Sequence, residues 1–327
     1  MRSPASVLSP AGFHGSGALR AHMRGRGGGQ SFFEGWYVKL VSADRSTRLA
    51  VIPGVFLSED GSIAEAFIQV LDGINGSTAY HRFGLSDFRA DPRSFDVRVG
   101  ANRFSTDGIV VELPGLSAEV RFGPGAPWPV TVREPGAMGW YAWVPTMECY
   151  HGVVSLDHAL AGWVDTGSER VDLAGGRGYL EKDWGTAFPK AYVWMQSNHF
   201  EVPGVSLVAS TALIPWRRSA FRGDLAALHL PDVASSSSIA PWTSTPAHCP
   251  TPSKRTRPEA SDRRTSSVPS RVSATRWCIS VRTGECSSPV VRPPIVARRS
   301  RRSPAGDCSA QRTASSATTS STVRARV

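Results

Sequence analysis

Between residue 31 and about residue 224 the sequence runs in short apolar stretches broken by turn signals every eight to twelve residues, and no twelve-residue window carries a 3.6-residue period with helix caps. That texture restricts the body to an all-β fold. Residues 31–42 and 49–57 read as strands. Asp60-Gly61 is a hairpin signal ahead of a strand over 63–71, and Asn75-Gly76 is a second one. Shorter strands fit 95–99, 109–113 and 117–122. Residues 123–129 read GPGAPWP, with Pro135-Gly136 behind them. Proline at that density cannot donate to a ladder, so a domain boundary is expected there. A second set of strands fits 140–144, 148–156, 162–165, 170–173, 178–183, 192–200 and 205–213. Many short antiparallel strands in two sets predict two barrels or a sandwich pair.

The flanks differ. Residues 1–30 are rich in Gly, Arg and Ala, include RGRGGG, and read as a flexible, solvated entry segment. Residues 233–327 hold sixteen Lys/Arg against four Asp/Glu, whereas the first 232 residues hold 21 against 23. The excess of positive charge therefore belongs to the tail, and a basic nucleic-acid-binding body is excluded. Ser, Thr, Arg and Pro make up 57 of those 95 residues, and Trp242 and Trp277 are the only aromatics. Such a segment buries too little apolar surface to offset the entropy of ordering it. Two readings fit: a basic disordered tail, or translation out of frame, since a GC-rich gene read that way yields Arg, Ser, Pro, Thr and Ala. Four of the five cysteines lie there at irregular spacings, with neither a zinc-like CxxC nor a disulfide framework. No apolar run approaches a membrane span and the first thirty residues lack an apolar signal region, so a cytoplasmic protein is expected.

Two segments carry chemistry. In FFEGWY (residues 32–37) alternation puts Glu34 and Trp36 on one face, and Gly35 and Tyr37 on the other. A buried Glu needs a partner. Either it serves chemistry, or it closes a barrel corner by accepting backbone N–H bonds. In GGRGYLEKDWGTAFPKAYVWMQSNHF (residues 175–200) Glu181 and Asp183 share a strand face, with Lys182 opposite. Neighbouring carboxylates raise one another's pKa, which keeps one protonated and able to act as an acid. Tyr192, Trp194, Gln196, Asn198 and Phe200 form an uncharged face that suits either an apolar cavity or an ordinary core with satisfied amides. His199, near Glu201, fits a satisfied core histidine. Neither a Ser-His-Asp order, a P-loop, a dinucleotide fingerprint nor metal-ligand spacing is present. Carboxylates and aromatics around an apolar cavity could protonate an alkene and stabilise the resulting cation.

These two segments, together with MECYHGVVSLDH at residues 147–158, resemble the tocopherol cyclase family over roughly residues 13–230. The resemblance implies two lipocalin-like (calycin-type) antiparallel β-barrels in tandem, with halves over 31–125 and 137–232. The second would be incomplete, since the family adds strands where this sequence has the Ser/Arg tail. It implies an isomerase that closes a chroman ring on a prenylated quinol, with no cofactor or metal. The partner would be a hydrophobic small molecule, not nucleic acid, met in transient contact with a membrane surface. Carried over residue by residue, it implies acids at Glu34, Glu181 and Asp183, and a wall of Trp36, Tyr37, Trp184, Trp194, Gln196, Asn198 and His199. On chemistry, Asp183 is the expected proton donor and Glu181 or His199 its partner or the base toward the phenol. Trp184 and Trp194 would be the cation-stabilising faces. A non-catalytic carrier of a hydrophobic ligand and an alkene hydratase are the rival readings.

Overall fold

A computed structural model describes residues 4–26, 29–216 and 219–231. The tail read from 233 onward lies outside the described residues. The fold is all-β, as the alternation requires. The main sheet has twelve strands: β1 (Phe32–Val41), β2 (Arg48–Leu57), β3 (Ala64–Asp72), β4 (Thr78–Phe83), β5 (Phe88–Ala90), β6 (Asp96–Val99), β7 (Asn102–Ser105), β8 (Gly108–Leu113), β9 (Leu116–Phe122), β10 (Cys149–Asp165), β11 (Arg170–Asp172) and β12 (Arg177–Gly185). Their order is β4-β3-β2-β1-β12-β10-β9-β8-β7-β6-β5, with β11 added to β10. A second sheet of three strands runs β13 (Tyr192–Ser197), β14 (Ser206–Trp216) and β15 (Ser219–His229).

Every named pairing is antiparallel. Both hairpin signals are used, Asp60-Gly61 between β2 and β3 and Asn75-Gly76 between β3 and β4. The sheet crosses the proline-rich connection. β12 pairs with β1 on one side and β10 on the other, so the centre joins the two sequence halves. β10 spans both ladders, pairing with β12 over its first part and with β9 from Leu160 to Asp165.

Alternation along β1 sends Trp36, Val38 and Leu40 into the larger core, where they meet Ile68, Phe95, Phe104 and Leu180. Each is fully buried, which is worth roughly 1.5–3 kcal/mol per large apolar side chain. A smaller core of Trp128, Val153, Leu156, Tyr179, Val208 and Ala227 ties the main sheet to the three-stranded one. The glycine in FFEGWY has room for a side chain, since a Cβ on Gly35 would meet nothing closer than 3.4 Å, but Gly54 opposite it does not. A Cβ on Gly54 would stand 2.5 Å from the Glu34 carbonyl oxygen and 2.5 Å from the Phe67 ring.

Three expectations are corrected. Residues 139–143 form a short helical turn, not a strand: Gly139 turns the chain at φ 53°, and Tyr141 and Val144 donate their N–H groups back to Met138 and Tyr141. The strand texture continues past residue 224, since β15 pairs with β14 through His229. The entry segment is not wholly solvated. It carries the short helices α1 (Pro4–Val7) and α2 (Ser16–Ala21), and Val7, Gly12, Phe13 and Gly15 are buried. Among the described residues no helix is long and apolar enough to cross a membrane.

Candidate active site

β12 lies between two strands and is buried on both faces, so its alternation sorts chemistry rather than polarity. Glu181 and Asp183 point one way, Lys182 and Trp184 the other. The β1–β12 register sets Tyr37 opposite Glu181 and Gly35 opposite Asp183, while β10 sets His151 opposite Asp183. Residues directly opposite across a ladder share a face.

On the first face the three groups converge. His151 Nδ1 lies 2.9 Å from Asp183 Oδ1, and His151 Nε2 lies 3.5 Å from Glu181 Oε2. The Tyr179 hydroxyl donates to Glu181 Oε2 at 2.6 Å and Trp194 Nε1 donates to the same oxygen at 3.1 Å. All three contacts address Oε2, which leaves Oε1 to carry a proton. Tyr37 meets the Trp194 ring edge-on, with centroids 5.5 Å apart. Lys39 Nζ donates to Gln196 Oε1 at 2.5 Å, and Gln196 Nε2 donates to Ser206 Oγ at 3.3 Å.

Burial and charge set the protonation states. Burial first, and then the charge on Asp183, push the Glu181 carboxyl up to about 7 against the opposing pull of His151. Burial opposes the His151 cation, but Asp183 and Glu181 outweigh it and raise the imidazole to about 9. Burial and the Glu181 charge raise the Tyr37 and Tyr179 phenols. Burial lowers Lys39 to about 8, with Glu181 acting against it. At neutral pH the cluster is therefore an imidazolium paired with Asp183, beside a carboxyl poised between its two forms. The donor atoms of His151, Glu181 and Asp183 lie within 4.8 Å of one another.

On the second face Glu34 and Lys182 form a buried ion pair, 2.6 Å apart and both fully inaccessible. The His14 backbone N–H donates to both Glu34 oxygens, at 2.9 and 3.1 Å. Lys182 Nζ also bonds the Gly12 carbonyl and His14 Nδ1, the latter at 2.5 Å, and sits 4.2 Å over the Trp184 ring. His14 stacks on Trp184 at 4.3 Å, and Trp36 Nε1 donates to the Ala11 carbonyl at 2.9 Å. Burial would raise the Glu34 carboxyl, but Lys182 and His14 hold it below its ordinary value. Burial and the Lys182 charge lower the His14 imidazole.

The residues singled out in the sequence thus divide. Glu181, Asp183, Tyr37, Trp194 and Gln196 come together. Glu34, Trp36 and Trp184 do not join them: period-two alternation puts them on the reverse of the sheet, where Glu34 takes the backbone-accepting role. Asn198 is buried and donates to Asp157 Oδ1 at 3.0 Å and to the Gly178 carbonyl at 2.8 Å, which is a structural tie. His199 is partly buried, lowered to about 4 by burial and then by Lys39 and nearby arginines, and its charged neighbours are those cations rather than either carboxylate. His151, Tyr179 and Lys39 were not singled out. His151 sits inside the MECYHGVVSLDH block, but its pairing with Asp183 depends on a ladder register that one strand does not reveal.

Residues 115–228 match the tocopherol cyclase-like family. That span takes in the blocks at 147–158 and 175–200, with His151, Glu181 and Asp183, and leaves FFEGWY outside. The chain is 31% identical over 71 residues to a probable chloroplastic tocopherol cyclase of Oryza sativa subsp. japonica, covering 22% of this chain and 15% of that protein. It is 31% identical over 77 residues to the chloroplastic tocopherol cyclase of Zea mays, covering 24% and 16% respectively. The aligned stretch is therefore a small part of either relative. Among solved structures, a putative AttH from Nitrosomonas europaea aligns with a TM-score of 0.39 and 16% identity, over 61% of this chain and 65% of that one.

Proposed function

With residues 115–228 matching the tocopherol cyclase-like family, we propose that this chain closes a ring on a prenylated quinol by acid-catalysed addition of the phenol to its side-chain alkene. The observation that carries the reading is Glu181, a buried carboxyl raised to about 7 whose Oε2 is held by Tyr179 and Trp194. An alkene is too weak a base to take a proton from water at neutral pH, and a carboxyl kept protonated by its surroundings supplies one. Glu181 gives its proton to the less substituted alkene carbon and the tertiary cation forms at the other. Trp194 and Tyr37, both only partly buried, offer aromatic groups to that cation. The phenol oxygen attacks the cation, its proton returns to the Glu181 carboxylate, and the product is an isomer of the substrate. Asp183 holds His151 as the imidazolium, which stabilises the carboxylate left after proton transfer. This assigns the donor role to Glu181 instead of Asp183, because Asp183 is engaged by His151 and its side chain is a quarter exposed.

Incubation with a prenylated quinol and analysis of the products tests the reading. A chroman is expected. A tertiary alcohol would make the chain a hydratase, and unchanged quinol with saturable binding would make it a carrier.

The acid must be protonated to act, so kcat/KM is expected to be level below about pH 7 and to fall tenfold per pH unit above it. His151 remains charged until about pH 9 and does not contribute to that limb. A profile level to pH 9 would identify the imidazolium as the donor instead.

A further inference from the structure

β13 covers the carboxylate face of the main sheet row by row. Gln196 stands over Lys39, which donates to it at 2.5 Å. Trp194 stands over Tyr37 and Glu181, meeting the first edge-on at 5.5 Å and donating to the second at 3.1 Å. Side chains two apart on a strand share a face. Tyr192 therefore comes next, over the row in which Asp183 lies opposite Gly35. Burial and then the Asp183 charge raise the Tyr192 phenol, in agreement with that placement.

β1 thus supplies a ring beneath Trp194 but only a glycine beneath Tyr192. Gly35 has no positive φ, and a Cβ on it would meet Ile52 at 3.4 Å, the Pro53 carbonyl oxygen at 3.6 Å and Phe67 at 3.7 Å, all ordinary contacts. Neither backbone geometry nor packing demands glycine there. Glycine inside a strand also marks the places where a ligand comes close to the backbone. This place is open to solvent: Gly35 is partly exposed, the Asp183 side chain is a quarter exposed, and Tyr192 and Phe188 are about half exposed. Phe188 walls it, stacked on Phe33 at 4.6 Å and facing Tyr192 at 6.1 Å, with ring planes 21° and 27° apart. His151 holds Asp183 Oδ1, and Oδ2 has no hydrogen-bond partner among the described residues.

We propose that a single hydroxylated aromatic ring takes the place of the missing side chain: it lies on Gly35 beneath Tyr192, beside Phe188, and donates one hydroxyl to Asp183 Oδ2. A carboxylate acceptor makes that hydrogen bond one of the stronger kind. The inference rests on the ring-closing reading and names where the quinol head sits. Glu181 stands two residues along β12, roughly 7 Å away. An alkene carried on a short arm of the ring therefore reaches the acid, and the hydroxyl that does not attack is the one Asp183 holds. Gly35, Phe188 and Tyr192 then set specificity for a flat ring without touching the reacting atoms.

The test titrates the full chain, under argon, with methylhydroquinone and with its dimethyl ether, which keeps the ring and lacks both hydroxyl groups. The readouts are the dissociation constants and the Gly35 amide resonance, with kcat and KM for a prenylated quinol measured alongside. Methylhydroquinone is expected to bind saturably and move the Gly35 resonance, and the ether to bind roughly ten-fold more weakly. Gly35→Phe puts a ring of the protein's own where the ligand's belongs, so it should abolish methylhydroquinone binding and raise KM. Phe188→Ala changes a half-exposed side chain and should weaken methylhydroquinone roughly three- to ten-fold; it carries the test if Gly35→Phe does not fold. Absence of saturable binding, equal affinity for the two probes, or native affinity in both variants would each overturn the proposal. Saturable binding that Gly35→Phe abolishes, without any ring closure, keeps the subsite and overturns the ring-closing reading. Ring closure without probe binding does the reverse.

Discussion

Glu181→Gln is expected to lower ring closure of a prenylated quinol by 10²–10⁴-fold, the usual worth of a positioned general acid. The amide is nearly isosteric, and its carbonyl oxygen can still accept from Tyr179 and Trp194, so substrate binding should change little. Stability should respond in the other direction. The Glu181 carboxyl ionises near 4.5 in the unfolded chain and near 7 in the fold. As pH rises from 4.5 to 7 the unfolded chain gives up this proton first, so the native protein loses stability over that window, by up to about 3 kcal/mol. The glutamine variant has no such loss, and its melting temperature should gain on the native protein's between those pH values. Asp183→Asn should cost about ten-fold by releasing the His151 imidazolium, because the acid itself remains. Full turnover by Glu181→Gln alongside loss in Asp183→Asn would return the donor role to Asp183. Full turnover by both would mean that neither carboxyl is the acid.

Lys182→Met should be the most damaging single change to stability, costing about 3–5 kcal/mol at neutral pH. Methionine fills much of the same space, so the loss reports charge rather than volume. Without Lys182 the Glu34 carboxylate is fully buried with only the His14 contacts to hold it, and burial would drive its pKa upward. The unfolded chain still ionises Glu34 near its ordinary value, so the deficit should grow as pH rises above that value and shrink in acid. Pairing the change with Glu34→Gln removes the stranded charge and should recover most of the loss. Urea unfolding of the whole chain measures both. Hydrogen exchange at the His14 amide should rise in the single variant, because that N–H is held by Glu34. A Lys182→Met protein within about 1 kcal/mol of the native one would show that the pair does not secure the entry segment.

Alternation made most of the sheet legible. β1, β8 and β9 carry buried apolar residues at every second position, β2 is a continuous apolar run, and Asx-Gly turns bracket β3. β4 is not legible, because TAYHRF lies at the sheet edge and is mostly exposed, with no buried face to impress a pattern. The Glu181–Asp183 pair was legible from the same period, as was the opposite facing of Lys182. What alternation along one strand cannot give is which strand lies next door. The register that sets His151 against Asp183, and Glu34 against Trp184, comes from pairings between distant segments. That is why Glu34 and Trp36 could not be separated in advance from the carboxylate cluster, whereas Trp184 follows Lys182 by alternation along β12. His14 carried a weaker signal still: it sits in a Gly/Arg-rich stretch that reads as solvated, and only the need of a buried glutamate for a partner pointed beyond FFEGWY.

The placement of β12 between β1 and β10 also bears on how the protein is made. Pairing residue 33 with residue 185 joins distant segments of the chain, and contacts so far apart in sequence form late and slowly. As the chain leaves the ribosome, β1 to β4 can form a meander at once, but one edge of β1 has no partner until residues 177–185 emerge. Throughout that interval an apolar strand edge is open to the wrong neighbour, including the same strand of another nascent chain. Expression at low temperature or with a holdase chaperone should therefore raise the soluble yield more than any change to the finished protein's surface.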